Sequence, residues 1–223
     1  MFIGHFAVAF AAKKAAPKTS LGTLVIAAQL VDLVWPAMLL LGAEHVRISP
    51  GNTAFTPLEF TDYPYTHSLV AAVLWSLAFG AVYFRIRRYS RGALVIGAAV
   101  FSHWLLDLLT HRPDLPIAPG LDAKFGLGLW NVPAATVVVE SALYIAGVAL
   151  YLRTTRAEDR TGTYATWGFV LLLVLIYVAN IFGPPPPTVP ALAYTALALW
   201  LFAWWAFWAD RHRSLRTIAQ GHD

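Results

Sequence analysis

The sequence predicts an all-α polytopic membrane protein, and three observations carry that prediction. Of its 223 residues, 58% are hydrophobic and only 13% are charged. A soluble domain is roughly 45–50% apolar. The apolar residues fall in runs long enough to cross a bilayer, and short basic clusters separate those runs. Mean hydropathy is accordingly +0.60.

Crossing the hydrocarbon takes about 20 mostly apolar residues as a helix, because lipid offers no partner to open backbone groups. Six stretches qualify: Ser20 to Gly42, Thr66 to Phe84, Gly92 to Thr110, Trp130 to Leu152, Thr163 to Phe182 and Thr188 to Ala209. Met1 to Ala12 is also apolar but covers only about 18 Å as a helix. It is expected to enter partway and pack against the others. Its lysines follow the apolar stretch, whereas a secretory leader places its charges first, so the segment is expected to be retained. Between the runs lie Pro17, Ser49-Pro50-Gly51, Pro113, Pro116, and Gly183 with the prolines after it. These residues break regular structure. No second domain, repeat or long polar tail is visible, and residues 1–223 read as one transmembrane helical domain.

A formal charge of +4 does not imply a nucleic-acid partner, because the charge follows topology. Thirteen of the 16 Lys and Arg fall in the clusters Lys13 to Lys18, Arg85 to Arg91, Arg153 to Arg160 and Arg211 to Arg216. The alternate loops hold only Arg47, Arg112 and Lys124. Cytoplasmic loops carry the basic excess. The C-terminus is therefore expected in the cytoplasm of a bacterial plasma membrane, with loops 43–65, 111–129 and 183–187 outside. Trp200, Trp204, Trp205 and Trp208 approach the basic end of the last run and read as an interfacial belt. The expected partners are membrane lipids, with anionic headgroups near the basic loops.

Ionisable side chains inside spans cost about 2.5–3.5 kcal/mol each on insertion scales, so each one is a functional hypothesis. Asp32 lies in the first run, His67 opens the second, His103 and Asp107 lie in the third, and Glu140 is near the middle of the fourth. No Lys or Arg lies inside a run to pair with these acids. A bound cation answers that asymmetry, and protonated carboxyls are the alternative. The chain has no cysteine, so a metal must be held by imidazole and carboxylate.

His103 and Asp107 are four residues apart and share a helix face, which suits chelation of one ion. An interhelical hydrogen-bonded pair is the other reading. His111 continues that face about 12 Å further along. It suits a second ion or the outer mouth better than the same ion as His103. By depth, Asp32, His67 and His103 all fall in the outer half. His5 is expected about 12 Å above the basic boundary, approaching the site only from below. Glu140 is expected to bond a neighbour such as Asn180 or Gln29 if it is not catalytic. Asp62, Tyr63 and Tyr65 lie in the outer loop just before His67, where loop exposure explains them better than lining an entrance does, while His45, His212 and His222 read as surface residues.

Gly4-His5, Asp32, Tyr65-Thr66-His67-Ser68 and His103-x-x-x-Asp107 followed by Leu108-Leu109-Thr110 together resemble the YdjM-type family of membrane-bound metal-dependent hydrolases. The resemblance covers roughly the first half of the chain. It implies a helical membrane protein with His and Asp metal ligands and hydrolytic activity. Two departures stand out. Asp62-Tyr63 occupies the place of a His-Arg pair often found there, and Gln29-Leu30-Val31-Asp32 replaces a Pro-Asp-x-Asp pattern. The lost imidazole and carboxylate point to one metal instead of two, or to a site that no longer turns over.

The expectation is a divalent ion, zinc foremost, held by His5, Asp32, His67, His103 and Asp107, with Glu140 or Asp62 as the base. A lipid or lipid-linked ester or phosphoester is the expected substrate. The alternatives are a metal-ion or proton transporter using the same residues, and a scaffold with a structural metal. Few polar residues occupy the inner halves of the runs, which favours the enzyme.

Overall fold

A computed structural model of the chain describes residues 1–216; His222 lies outside the described residues. The helices are α1 (Ile3–Ala15), α2 (Leu21–Ala28), α3 (Leu30–Leu40), α4 (Pro64–His67), α5 (Leu69–Arg87), α6 (Ser90–Thr110), α7 (Pro133–Thr154), α8 (Arg160–Phe182), α9 (Val189–Ala196) and α10 (Leu199–Arg211). Several start where the sequence supplies a cap. Ser20, Ser68, Asp159 and Thr188 accept the amides of Thr23, Ala71, Gly162 and Ala191, satisfying donors that a first turn leaves open. Pro64 and Pro133 sit in first turns, where a missing N–H costs nothing.

Four helices, α5 to α8, are individually long and apolar enough to cross a membrane, and α9 with α10 forms a fifth such unit, Val189–Arg211. The expected first span is not one straight helix. It breaks at Gln29 into α2 and α3, which meet at 55° and make a sixth span only if the bent pair crosses as one. The chain is thus an integral, mostly helical membrane protein. Its outward faces carry exposed Leu74, Leu77, Ile145 and Leu175, as a lipid-facing surface should.

The short first helix lies deeper than the sequence suggests. Phe6, Ala9 and Phe10 are fully buried, and α1 packs against α7, α2 and α6. Gly147 permits a close approach to α7, since any Cβ there would collide with the Ala7 carbonyl. Lys13, expected in a solvated loop, is buried against Asp210 at 2.7 Å. The same end is tied together by Thr19 and Tyr83, 2.9 Å apart, and by the antiparallel strands β5 (Thr155–Ala157) and β6 (Arg213–Leu215). At the opposite, far end a hairpin of β1 (His45–Ile48) and β2 (Leu58–Asp62) covers the bundle, beside the two-residue pair β3 (Leu115–Pro116) and β4 (Lys124–Phe125). Toward this end α9 lies on α3, while α10 packs on α2 and α8.

Candidate metal centre

The far half of the bundle gathers five of the predicted side chains from four elements. Asp32 comes from the first turn of α3, His67 from the end of α4, His103 and Asp107 from α6, and His5 from α1. His103 Nε2 lies 3.2 Å from Asp107 Oδ2 and 3.6 Å from Asp32 Oδ1. His67 Nε2 lies 3.2 Å from Asp32 Oδ1 and 4.0 Å from Asp107 Oδ2. His5 Nε2 meets Asp107 Oδ1 at 3.1 Å. Its ring stacks on that of His103, with centroids 3.6 Å apart and planes 5° from parallel. His5 is therefore level with His103 and does not sit below it.

The outer hydrogen bonds assign the imidazole tautomers. His103 Nδ1 is 2.8 Å from the carbonyl of Ala28, at the C-terminal end of α2 where carbonyls lack intrahelical partners. A carbonyl only accepts, so Nδ1 carries the proton. For His67 the chain is longer. Glu44 accepts the amides of Tyr65 and Thr66, both at 2.8 Å, and the Thr66 hydroxyl at 2.7 Å. With its proton given to Glu44, Thr66 Oγ1 accepts from His67 Nδ1 at 2.7 Å. Both histidines are thereby left with an Nε2 lone pair facing carboxylates. Anchoring Nδ1 to an acceptor is the arrangement that orients metal-binding histidines.

That geometry is electrostatically open. His103 Nε2 is buried, close to two carboxylates, and in hydrogen-bond line with neither. A neutral imidazole there would present a lone pair to negative oxygens, and a proton on Nε2 would reach no acceptor squarely. A cation among these atoms removes both problems. Two triads, His5/His103/Asp107 and Asp32/His67/His103, each place three candidate ligand atoms within 4.8 Å of one another. The residues therefore fit a metal ion, and imidazole with carboxylate suits zinc among several divalent ions.

His111 repeats the pattern just beyond α6. Its Nδ1 is 2.9 Å from Asp114 Oδ1, which also accepts the Tyr63 hydroxyl at 3.0 Å. Its Nε2 points toward Asp107 Oδ1 at 4.0 Å. Burial lowers the His111 imidazole below its ordinary pKa even though Asp114 opposes the shift. Burial, reinforced by Asp114, holds the Tyr63 hydroxyl well above its ordinary value. Tyr63 is thus a fixed donor and His111 a neutral imidazole. His5 differs from the others in having an unpartnered Nδ1. The Met1 nitrogen lies 2.7 Å from Asp107 Oδ1.

The two expected bases part company. Glu140 borders the centre. Its Oε2 accepts the amides of Phe2 and Gly4 at 2.9 and 3.3 Å, not Asn180 or Gln29 as expected, and its Oε1 is buried without a partner. Asp62 does not join the centre. It is exposed at the end of β2 and lies 3.9 Å from the equally exposed His45, because the strand turns it away from the face that Tyr63 occupies. His212, read as an unpartnered surface residue, bonds Asp159 at 2.7 Å. Glu44 and Asp114 escaped the sequence reading, and Tyr63, read only as a loop residue near an entrance, turns out to bond Asp114. The available signal was slight: an acid just past an apolar run, and another three residues after His111.

A cavity of about 670 Å³ reaches the centre, lined there by Asp32, His67, Asp107, His111 and Glu140. Sites for small molecules occupy about 300–1,000 Å³. Its remaining walls are largely apolar, and no Lys or Arg is among its lining residues. The model of a family described as YdjM inner membrane protein matches residues 1–183. No curated protein and no solved structure matches the chain.

Proposed function

The chain belongs to the YdjM inner membrane protein family, and from that premise we propose that it is a metal-dependent hydrolase acting on a lipid or lipid-linked ester or phosphoester in the inner membrane. The observation that carries this reading is the buried Nε2 of His103, set between two carboxylates without a hydrogen bond. Asp32, His67, His103 and Asp107 hold a divalent ion, zinc foremost. Held there, a divalent ion would supply Lewis-acid polarisation of the scissile carbonyl or phosphoryl oxygen and would lower the pKa of bound water.

The chain's own residues supply the rest. Ala28 and the Thr66–Glu44 pair fix the two imidazoles. His5 donates to Asp107 and braces His103 by stacking. Glu140 is held through one oxygen by two amides, and its free Oε1 takes the proton from water. His111, oriented by Asp114 and Tyr63, presents Nε2 to the cavity beside Asp107. Toward the basic end, Phe6, Phe10, Leu24 and Ile96 form a fully buried apolar layer, which supports a fixed site over a transport path. The basic loops support a cytoplasmic C-terminus.

Metal analysis of the purified protein beside the His103→Ala and Asp107→Ala variants tests the reading. The wild type is expected to retain a stoichiometric divalent ion that both variants lose. Negligible metal in all three proteins overturns it. If metal is bound, release of product from lipid esters or phosphoesters supports the hydrolase, and ion flux in proteoliposomes without hydrolysis would favour a transporter.

A further inference from the structure

The cavity has a side wall that metal chemistry alone does not explain. Near the basic end α8 and α10 are closely joined: Trp205 Nε1 donates to the Ala165 carbonyl at 2.9 Å, and its ring lies against Gly168. Toward the far end they diverge. The helix breaks between Ala196 and Leu199, and α9 turns to α3 instead of following α8. The cavity occupies the resulting gap. Ile176, Tyr177 and Asn180 line it from α8, and Leu192, Thr195 and Leu199 from α9 and α10.

Asn180 and Thr195 are exposed as well as cavity-lining, so they mark a mouth between the two helices. Both helices belong to apolar segments long enough to span, so a mouth in their side faces lipid, next to the loop residues within 50–58 and 183–186 that also line the cavity. Inside it the Tyr177 hydroxyl is buried without a hydrogen-bond partner. A buried orphan of this kind is uncommon in a native interior and calls for a ligand or another explanation. The walls give the ligand's polarity: largely apolar along Ile176, Leu192 and Leu199 behind the Asn180–Thr195 rim, and acidic with imidazoles at the inner end. With Asp32 and Asp107 assigned to the metal, Glu140 is the carboxylate left on the lining, and no Lys or Arg is there to pair several negative charges, which disfavours a polyanionic head.

We propose that the gap between α8 and α9 is a lateral portal that holds one hydrocarbon chain of a membrane glycerolipid, with an uncharged or zwitterionic ester-linked head directed to the Asp32–Asp107 end. The placement of the chain stands on the cavity. Only the chemistry at the head rests on the hydrolase reading.

The protein reconstituted in vesicles containing phosphatidylethanolamine, with a diazirine in one acyl chain, tests this by photocrosslinking. Adducts are expected within residues 176–181 and 192–199. In Thr195→Trp they are expected to fall roughly tenfold, as filling a ligand's space should cause, while adducts on the outward-facing Leu171 and Leu175 persist. Leu192→Trp provides a second plug should Thr195→Trp fold poorly, and an unchanged unfolding midpoint in detergent identifies a folded variant. Adducts confined to the outward faces, or unaffected by either plug in folded protein, overturn the portal. Portal adducts together with metal-loaded protein that hydrolyses no lipid overturn the hydrolase reading and leave the portal standing.

Discussion

Two buried polar clusters lie in the same bundle and are built on opposite rules. At the basic end, Lys13 Nζ donates to Asp210 Oδ2 at 2.7 Å and to the Thr19 carbonyl at 3.0 Å. The Leu21 amide and Tyr151 hydroxyl complete Asp210, each at 2.9 Å. One cation meets one anion, and the carboxylate oxygens are fully engaged. At the far end, Asp32 faces His67 and His103, whose Nδ1 protons are committed elsewhere; Asp107 takes the Met1 nitrogen and His5 on Oδ1 alone, no Lys or Arg side chain joins them, and His103 Nε2 is left without a partner. Both clusters are expensive to bury, since a charge removed from water must be compensated in place. Burial therefore does not separate structure from function here; lone pairs left uncommitted and aimed at one point do.

The largest expected effect sharpens that contrast from the structural side. Asp210→Ala leaves the Lys13 ammonium, the Leu21 amide and the Tyr151 hydroxyl without their acceptor. Removing one partner of a buried pair costs about 3–5 kcal/mol. The unfolding midpoint in detergent should fall accordingly, while the folded fraction keeps its metal. The reverse pattern is expected at the other cluster. His103→Ala should weaken metal binding by roughly 100-fold or more, beyond the loss of about 10–100-fold typical for outer partners. If Asp210→Ala released the ion as effectively as His103→Ala, the distinction between the clusters would fail.

A smaller effect separates ligand from support. Glu44 touches no carboxylate of the centre and acts through Thr66 on the proton of His67. In Glu44→Gln an amide nitrogen replaces one of the accepting oxygens, and the chain that fixes the His67 tautomer is interrupted. Metal affinity, measured by competition with a chelator, should drop about 10–100-fold with stoichiometry unchanged at saturation. An unaltered affinity would show that Glu44 serves only the turn around Tyr65.

The spans were legible because hydrophobic length is a local property, and His103 with Asp107 because four residues on a helix set one face. What sequence could not supply was depth and turn geometry. The placement of His5 counted its rise from Lys13 as though that lysine sat at the membrane boundary. Lys13 is instead buried on Asp210, so α1 lies further into the bundle and His5 comes level with His103. Asp62, five residues before His67, looked near the site, but the strand around it sends Tyr63 inward and Asp62 outward. Glu44 and Asp114 meet their histidine systems only through far-end turns, and no periodicity announces such contacts. The bend at Gln29 interrupts an apolar run whose composition hardly changes, so hydropathy passes over it.

The smallest expected effect lies in the exposed polar group at the other end, where solvent competes with every contact. Asp159 caps α8 through the Gly162 amide at 2.7 Å and also bonds His212 at 2.7 Å. These bonds, the amide first and His212 second, hold its carboxyl below the ordinary value of 3.8. A depressed folded pKa means that the stabilisation is fully present above that ordinary value and is lost as pH falls through the folded one. Between pH 5 and 8, then, hydrogen exchange at the Gly162 amide should not respond to this carboxyl; on acidification below about pH 4 its protection should decline. Asn at this position still offers an acceptor to the amide but carries no titrating proton. Asp159→Asn should therefore keep the cap and abolish the acid-dependent loss, and an acid loss that persists in this variant would assign it to another group at the basic end.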